Sequence, residues 1–80
     1  MASPYEHLQW AQQEVDSSER HVRQTEAAAR LAKQRYRQGL ADVREPLRAQ
    51  TEVISAKVNL LNARYQLTLA CADLRRLATT

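Results

Sequence analysis

The chain has no phenylalanine, one cysteine, one glycine and two prolines, and aromatic residues make up only 5% of it. A chain of 80 residues that is short of bulky apolar side chains cannot enclose a deep core, so it is one domain at most. Small domains usually stay folded through disulfides, a metal, oligomerisation or very regular helix packing. Cys71, the sole cysteine, excludes an internal disulfide. In the run Leu69-Ala70-Cys71-Ala72 it is expected to act as a small packing residue. His7 and His21 are fourteen residues apart, too far for the i, i+3 or i, i+4 spacing of a helical metal site, so no cofactor or metal is expected.

Long hydrophobic runs are also missing. No stretch approaches the roughly 18 apolar residues of a membrane span. The opening Met1-Ala2-Ser3-Pro4-Tyr5-Glu6 lacks the basic-then-apolar order of a signal peptide, so the chain as written is expected to remain in the cytoplasm. The net charge is +3, but acids and bases alternate, as in Asp16, Glu19, Arg20, Arg23, Glu26 and Arg30. That pattern marks a solvated helix face and argues against nucleic acid as a partner. No Ser/His/Asp set, metal-ligand cluster or glycine-rich phosphate loop can be assembled, so the chain is not expected to be an enzyme.

What is present is helix, almost without interruption. Ser3-Pro4-Tyr5-Glu6 combines an N-cap, a proline at the first helical position and a glutamate at the third. Nothing breaks the pattern until Gly39, which can take the left-handed conformation that ends a helix. The first helix is therefore expected over about 4–38, roughly 50 Å at 1.5 Å per residue. The turn is expected at about 39–45 and the second helix at about 46–78. Two readings of the second start compete: Asp42 as the cap, with Glu45 three residues on, or Glu45 as the cap of a helix opened by Pro46. The expected fold is all-α, a single hairpin of two long antiparallel helices in coiled-coil packing.

The apolar spacing supports this. In the first helix Leu8, Ala11, Val15, Ser18, Val22, Thr25, Ala29, Ala32 and Tyr36 follow an unbroken 3,4 alternation. The second helix carries two such series. One is Leu47, Thr51, Ile54, Val58, Leu61, Tyr65, Thr68 and Ala72; the other is Ala49, Val53, Ala56, Leu60, Ala63, Leu67, Ala70, Leu74 and Leu77. An offset of two residues, about 200°, puts them on nearly opposite faces. A hairpin needs one seam, so the second series, with Val53, Leu60, Leu67 and Leu74 at its centre, is expected to pack on another helix. That helix would come from self-association or from a larger protein.

The turn carries a family resemblance. Arg35-Tyr36-Arg37-Gln38-Gly39-Leu40 followed by Leu47-Arg48-Ala49-Gln50 resembles the RY-x-x-G-L … L-x-A-Q pattern of TolC-like outer-membrane efflux proteins. The stretch from Ala56 through Ala63-Arg64-Tyr65 to Ala72-Asp73-Leu74-Arg75-Arg76-Leu77 is similar to the end of the same helix pair. The resemblance implies one periplasmic hairpin of an efflux channel. In the family such hairpins occur twice per subunit and assemble as trimers into a hollow helical barrel on the periplasmic side of the outer membrane.

The family's glycine turns form a tip where a periplasmic adaptor docks. By position, Gly39 would permit the turn, Leu40 and Ala41 would make tip contacts, and Tyr36 would brace the helix end. Glu45 falls where members often carry an acid near the pore constriction, although it also suits a plain N-cap. Pro46 and Arg48 depart from the family pattern. Arg30, Lys33, Arg35, Arg37, Arg44 and Arg48 against Asp42 and Glu45 make this end basic and suited to an acidic partner surface. Two alternatives share the same fold: the hairpin of a periplasmic adaptor, or membrane fusion protein, and a generic self-associating coiled coil.

Overall fold

A computed structural model describes residues 3–79; Met1, Ala2 and Thr80 lie outside the described part, and with them the ends of the chain discussed above. Two α-helices, α1 (Pro4–Arg37) and α2 (Arg44–Thr79), are joined by a short turn and pack along their length into a hairpin of 63 × 18 × 13 Å.

The start of α1 follows from its first residues. Ser3 Oγ accepts from the Glu6 backbone N–H at 3.1 Å, and the Ser3 N–H donates to Glu6 Oε2 at 3.3 Å. This reciprocal box satisfies two groups the helix leaves unpaired, and proline occupies the position that needs no donor. Gln38 caps the C-terminus, and Gly39 follows at φ 75°, in the left-handed region. The Gly39 N–H then reaches the Tyr36 carbonyl at 3.0 Å and the Leu40 N–H reaches that of Arg35 at 2.9 Å, the paired bonds of a Schellman motif.

The second helix opens at Arg44, ahead of Pro46. Asp42 sits at its entrance: Oδ1 accepts from the Arg44 backbone N–H at 2.8 Å, and Oδ2 meets the Arg44 guanidinium at 3.2 Å. Of the two readings of this start, the one that gives Asp42 the capping role agrees with the bonding. Pro46 lies in the first turn, where its missing N–H leaves no helical bond unmade. Glu45 is not an N-cap; its carboxylate turns to the other helix.

The core is a single file of small side chains. Ala11, Val15, Val22, Thr25, Ala29 and Ala32 of α1 are buried, as are Val53, Ala56, Ala63 and Ala70 of α2. Thr25 is buried without penalty because its hydroxyl donates to the Val22 carbonyl at 2.9 Å. Tyr36, expected at the end of this seam, is 48% exposed and stands outside it. The ion pairs Arg35 to Glu45 and Glu19 to Arg64 bridge the antiparallel helices, and Ala29 and Val53 line the same groove between them.

Candidate partner-binding surfaces on α2 and at the turn

The two faces of α2 exchange the roles expected of them. The series containing Val53, Leu60, Leu67 and Leu74 faces α1: Val53 is 4% exposed, and Leu60, Leu67 and Leu74 are half-buried beside the buried Ala56, Ala63 and Ala70. In the hairpin these four residues lie on the side of α2 that packs against α1.

The reason is side-chain size. The α1 seam places small residues at alternate positions, Ala11, Ser18, Thr25 and Ala32, which draws the backbones together. Only the α2 series with alanine at alternate positions, Ala49, Ala56, Ala63 and Ala70, can approach that closely. Side chains as large as Ile54, Leu61 and Tyr65 in the same places would push the helices apart. The series with alternate alanines was visible in the sequence; its complementarity to the small positions of α1 is the signal that would have assigned it inward.

The other series is thereby left in solvent. Leu47 is 60% exposed, Ile54 57%, Leu61 63% and Tyr65 63%, with Val58 also exposed. The two threonines in this row, Thr51 and Thr68, donate their hydroxyls to the carbonyls of Leu47 and Arg64 at 3.0 Å. With their hydroxyls held by their own helix, they need no hydrogen bond from a partner and can turn apolar surface outward. The row is thus a heptad-spaced apolar strip exposed along α2. Cys71 likewise differs from expectation: it is exposed, one position round the helix from the buried Ala70.

At the turn, Leu40 is 63% exposed, Val43 49% and Tyr36 48%, whereas Ala41 is half-buried. Val43 adds apolar surface here that no periodicity in the sequence marks. Glu45 Oε1 accepts from Arg35 Nε at 2.8 Å, so both acids of this end are engaged by arginines, Asp42 by Arg44. Arg37 and Arg48 make no ion pair among the described residues, which keeps the end basic.

Between the helices run shallow, open grooves, one lined by Trp10, Glu14 and Ser18 with Asn59, Asn62 and Gln66. His7 stacks on Trp10 at 5.9 Å between ring centroids, just beside it. These grooves are open to solvent and walled only by the two helices. Among the described residues no group of three or more His, Cys, Asp or Glu could hold a metal, and no helix is long and apolar enough to cross a membrane.

The chain is a thin helical hairpin with one face closed on itself and an exposed apolar row on the opposite face of α2. The family model of the outer membrane efflux proteins matches residues 1–80, the whole chain, and the chain belongs to that family. Comparison with curated proteins and with solved structures returns no match.

Proposed function

We propose that this hairpin is a wall segment of an outer membrane efflux channel, with its Gly39 turn as the end on which a periplasmic adaptor docks. Its family is a transport family, and its role is mechanical: to pack side by side with other helices around a conduit and to offer a tip to the rest of the pump. The observation that carries this reading is the bare strip Leu47, Ile54, Val58, Leu61 and Tyr65, lying opposite the hairpin's own seam. A helix in a closed wall has a neighbour on each side and needs two packing faces. The trimeric, periplasmic assembly known for TolC-like channels suits such a helix. The adaptor-hairpin alternative shares the fold but has no comparable support from the family match.

At the tip, Tyr36, Leu40, Val43 and Leu47 supply apolar contact, Gly39 the backbone reversal, and Arg37 and Arg48 positive charge. Ala41 is sheltered within the turn, and Glu45 is a tie to Arg35 more than a gate. The test is efflux in cells that depend on this protein, read as accumulation of a fluorescent efflux dye. Leu61→Lys should raise accumulation to the level of cells lacking the protein. Leu40→Asp should do the same while leaving channel assembly intact and removing the adaptor from the purified complex. Normal efflux by Leu61→Lys would reject the wall role.

A further inference from the structure

The bare strip of α2 is framed by charge of one sign. Its three carboxylates, Glu45, Glu52 and Asp73, fall on a single heptad row, on the edge of the helix that looks back toward α1. Glu45 is held there by Arg35. The positions that border the bare strip carry Arg48, Lys57 and Arg64, with neutral residues between them and no acid. All three cations are exposed; Arg64 also reaches Glu19 at 3.7 Å, yet its side chain remains 57% exposed. Lys57 and Arg64 lie between the two seams, Lys57 in a groove with Glu26 of α1 and Arg64 reaching Glu19, while no acid of α2 borders the outer strip.

We infer that the outer strip of α2 receives a helix of a different sequence, one with apolar residues at heptad spacing bordered by glutamates or aspartates. This rests on the reading of the strip as a packing face and specifies what covers it. Flanking positions of paired helices meet across the seam, so like charges there oppose association and opposite charges select the partner.

A second copy of this chain matches the strip poorly at the two faces its described residues turn outward most directly. Its α2 would bring arginine and lysine against arginine and lysine. Its α1 turns outward a row in which Gln13, Ser17, Arg20 and Gln24 lie between Trp10 and Leu31, all exposed and mostly polar. The heptad spacing of Ile54, Val58, Leu61 and Tyr65 favours a helix over an anionic membrane or polyanion, neither of which requires periodicity.

The test uses the 80-residue chain and three labelled synthetic helices, followed by fluorescence anisotropy. One has leucine at both seam positions with glutamate at the flanks, the second has lysine at the flanks, and the third is a scramble of the first. The glutamate helix should bind at least about tenfold more tightly than either of the others, with the gap over the lysine helix narrowing as salt rises. Arg48→Glu combined with Lys57→Glu should reverse that preference.

Equal binding of the glutamate and lysine helices, both abolished by Leu61→Lys, would overturn the charge rule while leaving the strip as a packing face. Failure of both to bind, with Leu61→Lys indistinguishable from wild type in the same titration, would remove the packing face as well. Equal binding of the scramble, or a wild-type dimer disrupted by Leu61→Lys, would overturn the inference in favour of plain electrostatics or of self-pairing.

Discussion

Arg35 Nε and Glu45 Oε1 lie 2.8 Å apart across the turn, the last turn of α1 joined to the first turn of α2. Each charge also lies at the helix end whose dipole favours it, the cation at a C-terminus and the anion at an N-terminus. Both side chains are more than 40% exposed, so water and salt discount the attraction. A double-mutant cycle with Arg35→Ala and Glu45→Ala, measured by urea unfolding, should give a coupling of about 0.5 kcal/mol that fades by 1 M salt. A coupling above about 2 kcal/mol would mean that the pair is shielded by something beyond the hairpin.

Gly39 is needed for its backbone and not for space. Nothing lies within 4 Å of where a Cβ would stand, but φ is 75°. Gly39→Ala should therefore cost about 1 kcal/mol by thermal melting, and Gly39→Asn less, since asparagine tolerates the left-handed region. An unchanged melt for Gly39→Val would refute the conformational argument.

Ser3→Ala removes the hydroxyl that accepts from Glu6, and should cost about 1 kcal/mol. Its signature is local: faster hydrogen exchange in the first turn of α1, with the amides near Val22 and Ala56 unaffected. Uniform acceleration along both helices would indicate a wider role for the cap.

Ala56 is 1% exposed in the seam between the helices, whereas Leu61 is 63% exposed. Ala56→Leu should force the backbones apart and cost about 1–3 kcal/mol in the isolated chain. Leu61→Lys should change the stability of that chain by less than about 0.5 kcal/mol. If Leu61→Lys proved the more damaging in urea unfolding, the assignment of the two faces would be inverted.

Much of this architecture can be read directly from residue order. Ser3, Pro4 and Glu6 announce one helix, Gly39 ends it, and the 3,4 alternation from Leu8 to Ala32 marks the face that is buried. The start of α2 was harder to read, because Asp42, Glu45 and Pro46 are all starting signals and only the hydrogen bond from the Arg44 N–H to Asp42 chooses among them. The candidate surface was legible as the existence of two seams but not as which seam faces which way. Periodicity reports that Leu60 and Leu61 point apart; only the width of the gap left by Ala11, Ser18, Thr25 and Ala32 decides that Leu60 turns inward. Val43 was invisible for a different reason, since a lone apolar residue in a turn has no period to betray it.

No large side chain is fully buried anywhere along the described hairpin, and the buried residues are no bigger than valine, with half-buried leucines beside them. Such a structure has no keystone. Its cohesion is spread evenly over a length of 63 Å, and the only covalent join is at one extremity. Loosening should then travel like the opening of a zip, starting at the ends of the chain, where no turn holds the helices together, and reaching the Gly39 end last. The extremity proposed to meet a partner is thus the part of the hairpin that stays shut the longest.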